Sequence, residues 1–310
     1  LRSRCHKVAI LLSTYQGERF LQQQLDSLLA QTHTAWTVFW RDDGSTDQTI
    51  AIMEAFTTRL DPGRCQRVPD PDIRLGAAKS YLLLLARAVA AGAEDIAYAD
   101  QDDVWLPEKL ARGHAALAEV PGAEPALYCA RQILVDSSLQ RIGLSPPLHR
   151  PAEFPAALTQ NIAVGCTVML NRAAASLVAA SDAPGVTLHD WWSYLLVSAA
   201  GGHLLIDDTP VLLYRQHAAN LVGSPLGGRR RAIAAIRRGP GAFMNLLRAH
   251  VAALLANRGM LTPDARRDIA RINAALHGRR RDKWRVLNMP NLRRQTSLET
   301  WLFRFWFLLG

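Results

Sequence analysis

Short uninterrupted apolar runs alternate along the first hundred residues with stretches whose apolar positions recur every three or four residues. Val8-Ala9-Ile10-Leu11-Leu12 has the make-up of a strand buried on both faces of a parallel sheet. A loop from Ser13 to Gly17 follows. Over residues 18–31, Phe20, Leu21, Leu25, Leu28 and Leu29 fall at helical spacing with glutamines between them, which predicts a helix with one wet face. The unit then repeats. Residues 36–40 are rich in β-branched and aromatic side chains and are broken by Asp42-Asp43-Gly44, and Ser45 with Gln48 three positions on reads as a capping box opening a helix to about Arg59. A weak strand near 66–68, Gly76 and a leucine-rich helix over 77–91 form a third unit, and residues 95–99 a fourth strand that stops at Asp100-Gln101-Asp102-Asp103.

This rhythm predicts an α/β fold with a Rossmann-like, doubly wound first half, in which ligands bind beyond the carboxyl ends of the strands. Beyond Pro107 longer strands are expected over 127–135, 163–170 and 203–214, extending the sheet as a mixed one, with a helix over 191–200 entering the site. After Gly228 the chain reads as helical and arginine-rich, ending in an apolar segment over 298–309. Charge divides the chain at the same place. Residues 1–227 hold 18 Lys/Arg and 23 Asp/Glu, whereas 228–310 hold 18 against 4, so the net +9 belongs to the last quarter. Two regions are therefore expected, a catalytic domain over 1–227 and a basic helical extension over 228–310. Cys5, Cys65, Cys129 and Cys166 are scattered without metal-knuckle or disulfide spacing, which fits a reducing compartment.

The polar clusters Ser13-Thr14-Tyr15, Asp42-Asp43 and Asp100–Asp103 each directly follow a strand and should converge on one edge of the sheet. Asp100, Asp102 and Asp103 crowd three carboxylates into four residues, which repel unless a cation joins them. Mg²⁺ takes few protein carboxylates and completes its shell with water and substrate phosphates, so the cluster points to a metal–diphosphate site; the same residues would also serve a solvated acidic turn. Asp42 and Asp43 could accept hydrogen bonds from a base or ribose, with Arg74 and Lys79 offsetting phosphate charge. His189-Asp190-Trp191-Trp192 offers Asp190 as an acid–base group, or alternatively as a helix cap. His217, in Tyr214-Arg215-Gln216-His217, could reach a metal or phosphates.

Taken together, Ser13-Thr14-Tyr15-Gln16-Gly17, Arg41-Asp42-Asp43-Gly44-Ser45-Thr46-Asp47, Asp100-Gln101-Asp102-Asp103-Val104-Trp105-Leu106-Pro107, His189-Asp190-Trp191-Trp192 and Tyr214-Arg215-Gln216-His217 resemble the family 2 nucleotide-sugar glycosyltransferases of GT-A fold, over residues 8 to about 224. Their combination is similar to the rhamnosyltransferases of cell-surface polysaccharides. The resemblance implies that Thr14, Tyr15, Glu18, Asp42, Asp43 and Arg74 hold the nucleoside, that Asp100 and Asp102 hold the metal–diphosphate with Mg²⁺ or Mn²⁺, and that Asp190 is the base of an inverting transfer. The implied donor is dTDP-L-rhamnose, with UDP- or GDP-sugars as alternatives, and the implied acceptor is a polysaccharide or lipid-linked glycan hydroxyl. Arg74 stands where related sequences often carry Asn, which bears on nucleotide choice.

No run reaches the roughly 18 apolar residues of a spanning helix and no signal-peptide pattern opens the chain, so a cytoplasmic protein, peripheral on the inner face of the membrane, is expected. Leu298, Trp301, Leu302, Phe305, Trp306 and Leu309, widened by Phe303 and Phe307, could lie among headgroups while Arg229-Arg230-Arg231 and Arg279-Arg280-Arg281 meet anionic lipid, or could pack on the core. An arginine-rich end also suits nucleic acid, but the acidic clusters of the first half would repel a phosphate backbone, and no nucleic-acid partner is expected.

Overall fold

In the computed structural model, which describes residues 7–69, 73–217 and 240–310, β1 (Val8–Thr14) carries the logic of the sheet. Val8, Ile10 and Leu12 bury on one face and Ala9 and Leu11 on the other, as alternation dictates for a strand covered on both sides. β1 pairs in parallel with β2 (Trp36–Asp42) and β4 (Asp95–Ala99), and β2 with β3 (Cys65–Arg67). Beyond β4 the sheet turns mixed, through β5 (Val104–Trp105), β6 (Ala126–Val135), β7 (Arg141–Leu144), β8 (Met169–Asn171) and β9 (His203–Arg215). The order is β3-β2-β1-β4-β8-β6-β9-β5, with β7 on β6. β4–β8 and β8–β6 are antiparallel, and β6–β9 is parallel.

Helices α1 (Leu21–Leu29), α2 (Thr49–Thr58) and α4 (Lys109–Ala118) cover one face. The other is covered by α3 (Ala77–Ala90), α5 (Arg172–Ala179), α6 (His189–Ala199) and the C-terminal helices α7 (Pro240–Ala256), α8 (Pro263–His277), α9 (Arg280–Leu287) and α10 (Ser297–Leu309). Among these, Thr262 and Thr296 cap α8 and α10 by accepting from Ala265 N and Glu299 N. Leu302, Phe303, Trp306 and Phe307 of α10 sink into the same core as Trp192 and Leu196 of α6. The opposite side of α10 stays bare, with Leu298, Trp301, Phe305 and Leu309 exposed and Trp301 stacked on Phe305. The packing expected for this segment is thus met by one side of the helix, and the other side leaves apolar residues exposed.

Three local expectations are corrected. The helix after β2 starts at Thr49, not at Ser45: Ser45 Oγ donates to Asp42 Oδ1 and accepts from Gln16 N, so the hydroxyl binds the turn rather than capping a helix. The first helix starts at Leu21 rather than Glu18. The strand expected over 163–170 contracts to β8, because Gly165–Thr167 forms a 3₁₀ turn that delivers Gly165 to Asp190. Arg229–Arg231 and the boundary at 227/228 lie outside the described residues.

Candidate functional site

The carboxyl ends of β1, β2 and β4 lie side by side, because Ser13 and Thr14 pair in register with Arg41 and Asp42, and Leu12 with Ala99. Their trailing polar clusters therefore meet. Thr14 Oγ1 donates to Asp42 Oδ1 at 2.9 Å, and Asp42 Oδ2 accepts from Gly44 N and Ser45 N. Asp43 is buried, ion-paired to Arg41 at 2.6 Å, and accepts from Leu75 N and Gly76 N. Burial works against its charge, but the Arg41 guanidinium and these amides outweigh burial and hold its carboxyl below the usual carboxylate range. Through those bonds Asp43 fixes the segment that carries Arg74, whose guanidinium lies 4.0 Å over the Tyr15 ring. Glu18 stands apart, accepting from Gln48 N at the start of α2.

The acidic turn after β4 is tied to this lobe by Gln101, which accepts from Tyr15 N at 2.8 Å and donates to Tyr15 O at 2.9 Å. The approach needs Gly17, where a Cβ would stand 2.5 Å from Gln101 Oε1. On the other side of the turn, Arg215 at the end of β9 is buried, donating through Nε to Asp102 O and through its backbone N to Asp103 Oδ1. That lock brings His217 Nε2 to 2.7 Å from Asp102 Oδ2.

Asp100 accepts from the Tyr81 hydroxyl at 3.0 Å. It keeps some accessible surface, but the protein closely packed around it, followed by the charge of Asp102, pushes its carboxyl up to about 7. One ligand atom each from Asp100, Asp103 and Cys166 lie within 4.8 Å of one another. Burial, then the neighbouring carboxylates, pushes the Cys166 thiol well up, so it stays protonated and is a poor ligand. Lys109, buried behind them with its ammonium 3.5 Å from the centre of the Trp105 ring, is lowered to about 7 by burial. Crowded carboxylate oxygens, one of them the buried Asp103 Oδ2 without a hydrogen-bond partner among the described residues, fit a hard divalent ion.

Asp190 lies in the first turn of α6, not at its cap, which is Leu188. Its Oδ1 accepts from Trp191 N at 2.6 Å and Oδ2 from Gly165 N at 2.9 Å. Burial outweighs these bonds and pushes its carboxyl up to about 6. His189 beside it stacks on Tyr81 with ring centroids 3.9 Å apart, neither ring nitrogen having a hydrogen-bond partner among the described residues, and burial lowers it to about 3. Asp190 is thereby joined to Asp100 through His189 and Tyr81, and the charge of Asp190 is felt at Asp100.

Sequence reasoning missed the roles of Gln101, Tyr81, His189 and Arg215. Gln101 and Arg215 sat inside motifs already singled out. His189 likewise stood in the His189-Asp190-Trp191-Trp192 motif but was given no role of its own, and Tyr81 gave no signal, since an aromatic in a leucine-rich helix reads as core.

The family model for glycosyl transferase family 2 matches residues 9–175. The dTDP-rhamnosyl transferase RfbG of Shigella flexneri is 27% identical over 227 residues, spanning 69% of this chain and 74% of that protein. Protein CgeD of Bacillus subtilis is 30% identical over 131 residues, 41% of this chain and 30% of CgeD. Among solved structures, that of S. aureus TarS 1–349 in complex with UDP-GlcNAc superposes with a TM-score of 0.57 at 15% identity, over 91% of this chain and 84% of that one. The likeness to TarS is one of fold, and the chain has the GT-A arrangement of a nucleotide-binding half and a mixed central sheet. With a family match over more than half its length, set on a sheet edge where acidic residues from β2, β4 and α6 gather, the chain belongs to glycosyl transferase family 2 and is a glycosyltransferase.

Proposed function

We propose that this glycosyltransferase is a metal-dependent, inverting enzyme that moves a sugar, L-rhamnose from dTDP-L-rhamnose, to a hydroxyl of a cell-surface polysaccharide or lipid-linked glycan precursor. The observation that carries the reading is the Asp100–Tyr81–His189 chain, which joins the acidic turn to the residue preceding Asp190. Residues 1–227 form the catalytic domain and 228–310 the basic extension. Thr14, Tyr15, Asp42, Asp43 and Arg74 hold the nucleoside, with Glu18 at the edge of that lobe, and Arg74 and Tyr15 present a stacked cation and ring to the base or phosphates. Asp100 and Asp102, with His217, would hold Mg²⁺ or Mn²⁺, and the ion would supply Lewis-acid neutralisation of charge on a departing diphosphate. Asp190 takes the proton of the attacking hydroxyl. Trp191 N and Gly165 N orient its carboxylate, and the surrounding burial keeps its proton affinity near that needed for a base working close to neutrality. The rhamnosyl assignment is supported by the likeness to RfbG.

The donor is tested by thermal shift and hydrolysis across dTDP-rhamnose, UDP-glucose, UDP-GlcNAc and GDP-mannose, each with Mn²⁺. The expected outcome is the largest stabilisation by dTDP-rhamnose. Stabilisation by another nucleotide sugar alone reassigns the donor, and stabilisation by none removes the reading.

We also place the protein at the cytoplasmic face of the membrane. No helix among the described residues is long and apolar enough to cross a bilayer. Leu298, Trp301, Phe305 and Leu309 instead form an exposed stripe on α10, with Trp284 and Arg304 also exposed. Seating such side chains in an interface is worth about 1.5–3 kcal/mol each when fully buried, and each nearby arginine adds about 1 kcal/mol on anionic lipid. Trp301→Ser with Phe305→Ser should fold as the parent does, since both side chains are exposed, and should lose most binding to phosphatidylglycerol-containing vesicles in a sedimentation assay. Equal sedimentation of both proteins would reject the stripe as the contact.

A further inference from the structure

One polar side chain of α7 is buried where the helix pattern calls for an apolar one. His250 shares the inward side of α7 with Leu247, Val251 and Leu254, at helical spacing. It is 0% exposed, and its Nδ1 has no hydrogen-bond partner among the described residues. An imidazole in such a place costs stability that a ring without nitrogens would not. Its other nitrogen, Nε2, lies 2.7 Å from Oγ1 of Thr187, in the segment that leads into α6. We propose that His250 is a positioning residue for Asp190: through Thr187 and the Trp191–Trp192 pair it fixes the first turn of α6, so that a C-terminal helix holds the base in place. The inference rests on the proposed reading of Asp190 as that base.

The contacts of His250 bracket Asp190 along the chain. Before it, Thr187 Oγ1 donates to Leu188 O at 3.2 Å. With its one proton so used, the hydroxyl accepts from His250, which sets the Nε2–H tautomer and leaves Nδ1 as the bare atom. Leu188 O in turn accepts from Trp192 N at 2.9 Å. After Asp190, the Trp191 ring meets the His250 ring edge-on with centroids 5.1 Å apart, and the Trp192 ring lies 6.3 Å from it. Both indoles are tied at their other ends, Trp191 Nε1 donating to Ala157 O and Trp192 Nε1 to Ser181 Oγ, each at 2.8 Å. Trp191 also supplies the backbone N–H that Asp190 Oδ1 accepts, so a shift of this turn carries the carboxylate with it. Burial lowers the His250 ring to about 4, which leaves it neutral near pH 7. Its part is therefore one of hydrogen bonding and shape, not of charge.

The same helix carries Phe243, on which Phe303 and Trp306 of α10 pack, about two turns before His250. α7 thus spans from α10 to the entry of α6, and the C-terminal helices form part of the frame around the base. Gly165 N, the second donor to the Asp190 carboxylate, comes from the 3₁₀ turn on another element. The carboxylate keeps its aim only while α6 and that turn stay in register, and His250 secures the α6 side.

The test uses the full chain with Mn²⁺ and follows dTDP release from dTDP-L-rhamnose, water standing in for the acceptor. His250→Phe keeps a ring but removes the donor, Thr187→Val removes the acceptor, and His250→Gln restores an N–H near the place of Nε2. In His250→Phe and Thr187→Val, kcat should fall by about 10–10²-fold with KM for the donor within about twofold, as for a misplaced reacting group, and His250→Gln should recover most of the loss. In an Asp190→Asn background, His250→Phe should lower the residual rate by no more than about twofold, because the residue it positions is already gone. Hydrogen exchange read by mass spectrometry without substrate should rise over residues 184–193 in His250→Phe and Thr187→Val, and not in His250→Gln. A loss of equal size in both backgrounds, a parental kcat in both His250→Phe and Thr187→Val, or unchanged exchange over 184–193 overturns the inference. A parental rate in Asp190→Asn alone instead removes the base reading beneath it. A parent that releases no dTDP removes the donor reading, and the exchange result then decides whether His250 holds this turn.

Discussion

Asp190→Asn is expected to lower sugar transfer by about 10²–10⁴-fold, the usual worth of a positioned general base, while leaving nucleotide binding and folding intact. The stability half follows from opposed terms. Burial raises the Asp190 carboxyl from its ordinary 3.8 to about 6, so the protonated form is favoured in the fold. That contribution is fully present below 3.8 and is lost as pH rises through about 6, which at neutral pH leaves the ionised carboxylate costing about 3 kcal/mol. Asparagine removes this cost. However, both carboxylate oxygens accept from backbone N–H groups, Trp191 N and Gly165 N, so an amide must turn its NH₂ toward one of those donors and give up about 1–3 kcal/mol. The two nearly cancel, and the melting temperature should move by a few degrees at most. Transfer by the parent should fall as pH drops through about 6, as the base becomes protonated, and the residual rate of the variant should lack that step. A variant that turns over at the parental rate, or a parental profile flat from pH 5 to 8 under saturating donor, would remove Asp190 as the base.

What could be read from the chain and what could not divides along a physical line. β1, β2, β4 and the helices between them were legible because each is specified by its own side chains: the doubly buried alternation of Val8 to Leu12 or the heptad-like leucines of α1 need no distant partner to be recognised. The convergence of Thr14, Asp42 and Asp100 was legible for a related reason, since parallel strands share a carboxyl end whatever their loops contain. The failures lie where tertiary contact decides. Ser45 and Gln48 satisfy the capping-box pattern, yet the Asp42 carboxylate and Gln16 N take the serine hydroxyl, and the helix waits until Thr49. The apolar residues over 163–170 have strand composition, but Gly165 must offer its N–H to Asp190, and the 3₁₀ turn that does so leaves a strand of only three residues. A Cβ on that glycine would lie 3.1 Å from His189 Nε2, so the position is small because the first turn of α6 presses on it. Likewise the aromatic end of the chain looked like one surface choosing between core and membrane, and periodicity could not say that Phe303 and Phe307 go one way while Trp301 and Phe305 go the other.

Removing divalent metal should have an effect as large as removing the base. Asp100 is pushed up to about 7 by burial and by Asp102, so near neutrality its carboxyl is only partly ionised and is repelled by its neighbour. A divalent ion would relieve both conditions at once, which makes binding and ionisation mutually reinforcing. Lewis-acid stabilisation of a leaving diphosphate is worth several kcal/mol, and each 1.4 kcal/mol is a factor of ten, so chelator should suppress transfer by about 10²–10³-fold or more, with recovery on adding Mg²⁺ or Mn²⁺. The residues sharpen the test. Asp102→Asn removes a carboxylate paired with His217 at 2.7 Å, and Asp100→Asn removes one held by Tyr81; each should abolish the thermal stabilisation that Mn²⁺ adds in the presence of dTDP while the metal-free melting temperature holds or rises, because a repelling charge has gone. Cys166→Ser should keep the metal response, since a thiol held protonated contributes no ligand. Undiminished transfer in excess chelator would remove the metal from the reading, and a metal response lost in Cys166→Ser but kept in Asp102→Asn would move the site to the Asp100–Asp103–Cys166 cluster.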